Sequence, residues 1–140
     1  MAYWLVKTEP SVYSFETLVR EGISVWDGVT NALALKHLRN MRKGDLALVY
    51  HTGNERALVG IAEVATNPYK DPKTDDPKLV VVDIGPKESL PRRVQLTEIR
   101  ANSQFAAFEL VRLPRLSIMP VEIPVWNALI KLSKQQPGTR

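Results

Sequence analysis

The chain has 140 residues, 44% hydrophobic and 24% charged, which is enough for one domain with a buried core. It has no cysteine, which excludes disulfides, thiolate catalysis and cysteine-ligated zinc or iron–sulfur sites. A net charge of +4 favours a polyanionic partner without requiring one.

His37 and His51 lack the spacing of a transition-metal site, and no phosphate-cradling glycine loop or G-x-S-x-G elbow is present, so no metal or other cofactor is expected. No apolar run approaches the roughly 20 residues of a membrane-spanning helix. Met1-Ala2-Tyr3-Trp4 has neither a basic n-region nor a long apolar stretch. A soluble, cytoplasmic protein without a signal peptide or membrane partner is the expectation.

In chain order, Tyr3 to Thr8 reads as a strand of aromatic and β-branched residues, stopped by Pro10. Ser14 caps a short helix through about Arg20, and Gly22 closes it. Ile23 to Val29 is a connection carrying the turn signal Trp26-Asp27-Gly28. Thr30 is placed to cap a helix over roughly Asn31 to Arg42, with Ala34, Leu38 and Met41 on one arc and Lys36, Arg39 and Lys43 on the other. On that wheel Asn31 points inward, where a polar side chain needs a partner. No acidic residue lies between Asp27 and Asp45.

Leu46 to His51 and Ala57 to Ala65 read as a hairpin about Gly53-Asn54. Asn67 to Pro77 is a long exposed loop, and Leu79 to Ile84 is a strand interrupted by Gly85-Pro86. Thr97 to Ala101 and Ser103 to Glu109 are short helical turns. Leu116 to Val121 is a last strand, and Glu122 to about Lys134 is a terminal helix burying Trp126, Leu129 and Ile130. This order is α+β with a mostly antiparallel sheet: one domain over 1–134 and a frayed tail at 135–140.

Trp26 stands out among the aromatics because it sits on a turn, where an indole serves either as core or as a platform for a flat ring. Lys7 closes the first strand and can reach a phosphate or carbonyl as a point charge. His51, at the end of an apolar strand, either caps a neighbouring carbonyl or donates to a base edge or phosphate. Arg115 either clamps a phosphate or pairs with a carboxylate such as Glu109.

Tyr3-Trp4-Leu5-Val6-Lys7-Thr8-Glu9-Pro10-Ser11 and Trp26-Asp27-Gly28-Val29 followed by Asn31 resemble the EVE domain family. The likeness continues through Leu38-Arg39-Asn40-Met41, Gly44-Asp45, Tyr50-His51, Gly60-Ile61-Ala62-Glu63-Val64 and Arg115-Leu116-Ser117-Ile118-Met119-Pro120-Val121 before Trp126. The resemblance implies a PUA-like fold, a small curved, barrel-like sheet flanked by helices. It also implies recognition of a modified base in DNA or RNA, without catalysis, in an aromatic pocket. On that pattern Trp26 and Tyr50 line the pocket and Asn31 reads a base edge. Lys7, Tyr13, His51 and Ser117 form the rim or floor, and Lys36, Arg39, Lys43 and Arg115 meet the nucleic-acid backbone. Two positions depart from the family: Thr30 stands where many members carry a basic residue, and no tryptophan precedes the strand at Leu79.

Two alternatives accompany this reading. Lys7, Thr8 and Glu63 resemble the Lys, Thr and Glu set of ASCH-type amidohydrolases, although adjacent strand residues point to opposite faces. A small-molecule or protein-interaction module using the same cleft is the other.

Overall fold

The first strand forms where the aromatic and β-branched residues predict it and ends ahead of Pro10. The computed structural model describes residues 1–135, so the expected tail lies, from 136 on, outside the described residues. The elements are β1 (Tyr3–Thr8), α1 (Phe15–Glu21), β2 (Ser24–Trp26), α2 (Ala32–Asn40), β3 (Leu46–His51), β4 (Ala57–Val64), β5 (Tyr69–Lys70), β6 (Val80–Gln95), α3 (Leu96–Arg100), a 3-10 turn at Ser103–Phe105, α4 (Glu109–Arg112), β7 (Ile118–Pro120) and α5 (Ile123–Ser133).

The main sheet runs in the order β2-β6-β4-β3-β1-β7, with β5 paired to β6 off this path. Among the described residues only β1 and β3 pair in parallel, from Tyr3↔Leu46 to Thr8↔His51. The α1–β2–α2 segment supplies the long crossover that parallel neighbours need. The other pairings are antiparallel. The fold is therefore α+β with a mostly antiparallel sheet, as expected.

Gly85-Pro86 does not interrupt the sheet: β6 runs unbroken for 16 residues. Pro86 pairs with Ala62 where the register to β4 shifts, an irregularity that tolerates a residue lacking an N–H. A second shift falls between Leu58 and Gly60. From Val82 to Gln95 a straight strand would cover roughly 40 Å. Yet Val82 pairs with Trp26, Gln95 leads into Leu96, and both Trp26 and Leu96 line cavities walled by Lys7 and Thr8. The sheet is curled, and its irregularities lie along the curl.

Gly60 sits beneath α1, where a Cβ would come within 2.4 Å of Phe15 Cζ. Trp4 is buried, and its Nε1 donates to Asp45 Oδ2 at 2.9 Å. The buried Asp45 carboxylate also accepts from the N–H groups of Ala2 at 3.0 Å and Arg42 at 2.9 Å. That explains an acid inside the core: three donors replace its water. Tyr3 stacks on Trp126 with centroids 4.3 Å apart, fixing α5 against β1. Among the described residues no helix is long and apolar enough to cross a membrane.

Candidate base-binding site

The segment from β2 to α2 builds one side of a cavity of about 700 Å³. β2, a strand the sequence reading treats as a loop, pairs Ser24–Trp26 with Ile84–Val82 and holds the indole against the sheet. Gly28, at φ +77°, turns the chain in the left-handed region that glycine adopts without strain. Asn31 rather than Thr30 then caps α2, its Oδ1 accepting from Ala34 N–H at 3.0 Å. Asn31 is thus exposed at the helix mouth, not turned inward. With Oδ1 engaged, its amide N–H groups remain for a guest, which makes it a donor.

Trp26, Asn31, Tyr13, Lys7 and Ser117 line this one cavity, together with Thr30. Trp26 is only 9% exposed, and Tyr13 meets it edge-on at 6.3 Å and 87°. The indole is therefore anchored by packing while part of it still faces the cavity. The Tyr13 hydroxyl donates to Glu21 Oε1 at 2.8 Å. Its phenol is pushed up chiefly by burial, with Ser24 pulling against it. From the loop between β5 and β6, Lys73 reaches the same rim and pairs with Asp27 at 3.1 Å. The size falls within the roughly 300–1,000 Å³ of ligand-binding clefts.

Two further expectations need correcting. Tyr50 does not share the cavity of Trp26: it is buried and lines a neighbouring cleft of about 370 Å³, with the Lys7 ammonium 5.5 Å from its ring centroid. The two aromatics sit on opposite sides of a wall made by Lys7, Thr8 and Ser117, which line both spaces. His51 is fully buried and lines neither cavity. Its Nε2 accepts from Phe15 N–H at 3.0 Å and its Nδ1 faces Glu55 Oε1 at 2.9 Å, so it caps α1 from β3. Lys36, Arg39 and Lys43 are exposed but outside both cavities, and Arg39 donates to the Lys78 carbonyl at 2.6 Å.

Lys7 donates to the Pro114 carbonyl at 2.8 Å, and burial holds its ammonium below the ordinary lysine value. Thr8 gives its hydroxyl proton to the Tyr13 carbonyl at 2.6 Å. Glu63 is exposed and pairs with Leu46, opposite Tyr3 at the far end of β1. The Lys, Thr and Glu residues of the amidohydrolase alternative are thus not gathered at one point. Among the described residues no cluster of acids and histidines could hold a metal ion.

Sequence reasoning missed Arg56 and Arg100, which join Arg115 in the smaller cleft. They lie 44 residues apart in number, on a hairpin end and a five-residue helix, and no local pattern links them.

A curled α+β sheet with a cavity between its edge strand and a helix mouth defines a PUA-like domain. The chain belongs to the EVE domain family, whose profile matches residues 2–132. Mouse thymocyte nuclear protein 1 is 27% identical over 170 aligned positions, covering 97% of this chain and 75% of that protein. A protein of Rhodopseudomonas palustris solved by NMR superposes with a TM-score of 0.92 at 36% identity, covering 100% of this chain and 99% of its own. Human THYN1, solved in complex with DNA containing 5-methylcytosine, gives a TM-score of 0.89 at 26% identity, covering 98% of this chain and 100% of its own.

Proposed function

We propose that this chain is a non-catalytic reader of a modified base in DNA, which it takes out of the stack into the cavity beside Trp26. The observation that carries the reading is that cavity: an anchored indole, an amide donor at Asn31 and the Lys7 ammonium line one space large enough for a base. The complex of human THYN1 with 5-methylcytosine DNA supports it from the side of the family. A cytosine ring offers acceptors at its ring nitrogen and carbonyl, which suit the free N–H groups of Asn31. The Trp26 face supplies the stacking surface, worth about 1–3 kcal/mol per base. That offsets part of the few kcal/mol needed to extrude a base from a duplex.

Titration of duplexes carrying cytosine or 5-methylcytosine, and of the matching RNA, tests this by fluorescence anisotropy. Wild type is expected to prefer the modified DNA, and Trp26→Ala to lose the preference together with about 1–3 kcal/mol of affinity. Equal binding of all probes by both proteins would refute the reading.

A further inference from the structure

The smaller cleft opens on the far side of the wall formed by Lys7, Thr8 and Ser117. Among the described residues Lys7, Arg56, Arg100 and Arg115 line it, against a single carboxylate, Glu9. Among the described residues none of these four cations is in an ion pair, whereas Arg92 is held by Glu98 and Arg93 by Glu55. Glu9 Oε2 accepts from Ser11 N–H at 2.7 Å and from the Ser11 hydroxyl, while its Oε1 faces Gly53 at the edge of the cleft. The cleft therefore carries an excess of positive charge within one concavity, an arrangement that repels itself until an anion enters.

The backbone is also specialised here. Arg56 holds φ +48°, the one non-glycine residue at positive φ among those described. That conformation is disfavoured by about 1–2 kcal/mol, and strain of this kind gathers at functional sites. Its carbonyl accepts from Leu96 N–H at 2.9 Å, which ties the hairpin end to α3 and so to Arg100. Burial raises the Tyr50 phenol, and the charges of Arg56 and Arg100, which line the same cleft, pull against that rise.

We propose that this second cleft is a phosphate site, seating the phosphate next to the base held beside Trp26, with Arg56, Arg100 and Arg115 donating to its oxygens. Guanidinium forks match the tetrahedral oxyanion in geometry as well as charge. The inference rests on the base-reading function of the neighbouring cavity and adds to it a unit of recognition: a whole nucleotide, its base on one side of Lys7 and its phosphate on the other. The same chemistry has two sources, the phosphodiester of a strand and the monophosphate of a free nucleotide.

The test compares wild type, Arg100→Gln and Arg115→Gln on a 5-methylcytosine duplex and on the same duplex with a neutral methylphosphonate next to the modified base. Both arginines are exposed, so folding is not at stake. The methylphosphonate is expected to weaken wild type about tenfold and each variant by less, because one of the phosphate's donors is already gone. Each variant is expected to bind the normal duplex about tenfold more weakly, with the slope of log affinity on log salt shallower by about one. Wild-type affinity and slope in both variants, or an equal methylphosphonate effect in all three proteins, would overturn the phosphate site. If wild type keeps its preference for the modified base in that case, the base cavity stands alone. Loss of base preference with the arginine and methylphosphonate effects intact would instead remove the base reading and leave the phosphate site. 5-Methyldeoxycytidine monophosphate, offered alone, separates the sources: arginine-dependent binding points to a free nucleotide, and binding of the duplex only points to a strand.

Discussion

The backbone N–H of Phe15 donates to Nε2 of His51 at 3.0 Å, so the first turn of α1 is capped by the last residue of β3. Replacing the ring with an aliphatic side chain leaves that buried donor unsatisfied and removes the partner of Glu55. His51→Leu is expected to lose about 1–3 kcal/mol of stability, read as a lower midpoint in urea. Because the ring lines neither cavity, DNA affinity measured well below that midpoint should be unchanged.

Gly60 leaves room for the Phe15 ring and nothing more. Gly60→Ala is expected to destabilise the fold by about 1–3 kcal/mol through overpacking. Trimming the ring in a Phe15→Leu, Gly60→Ala double variant should cost less than the sum of the two single changes. Strict additivity in the denaturation cycle would argue against the contact.

Asn31 combines a cap with a free amide, and the two roles separate by substitution. Asp caps a helix as well as Asn and suits the dipole, so Asn31→Asp should hold stability while losing the donor and hence affinity. Asn31→Ala should lose affinity and about 1 kcal/mol of stability as well. Thermal melts and anisotropy on the same samples check both.

Burial holds the Lys7 ammonium below the usual lysine value of 10.5. In the free protein the charged form is disfavoured, which weighs on stability at pH below the lowered value and fades as pH rises toward 10.5. Binding of an anion runs the other way: it needs the charge, so affinity should fall as pH rises through the lowered value, earlier than for an exposed lysine. Lys7→Arg should flatten this alkaline loss, which salt-matched titrations from neutral pH upward will reveal.

Glu98 lies below its usual 4.5, chiefly because Arg92 bonds both its oxygens, at 2.8 and 2.9 Å. Glu55 is lowered chiefly by its bond to His51, with help from Arg93. For a carboxylate depressed by folding, the stabilisation is complete above the unfolded value and is lost as pH falls through the folded one. Unfolding midpoints should therefore decline below about pH 4.5, and Glu98→Gln should make that decline shallower.

Much of the scaffold was legible in local chemistry. Ser14 and Gly22 bound α1 as a cap and a closing glycine do, and β1 and β3 span the segments their composition predicts. The misreadings came from partners distant in sequence. Pro86 is accommodated by a register shift against Ala62, and β2 exists because Val82 to Ile84 pair with it. At the site, Trp26, Tyr50, Asn31, Lys7, Tyr13, His51 and Ser117 were expected as a group, and all but Tyr50 and His51 line one cavity. Tyr50 and His51 are sequence neighbours whose side chains part company: one borders a cleft and the other is sealed inside. Strand alternation allows for that separation but does not say which residue faces a cleft.

The bend in β6 has an architectural outcome. Because one continuous ribbon serves the indole at one end and leads to Arg100 at the other, their spacing is built into the shape of the sheet. A ligand spanning both chambers would meet them already juxtaposed, with no hinge to close. Lengthening or straightening that ribbon, by an inserted residue near Pro86 for example, would pull the two halves of the receptor apart while sparing every side chain within them.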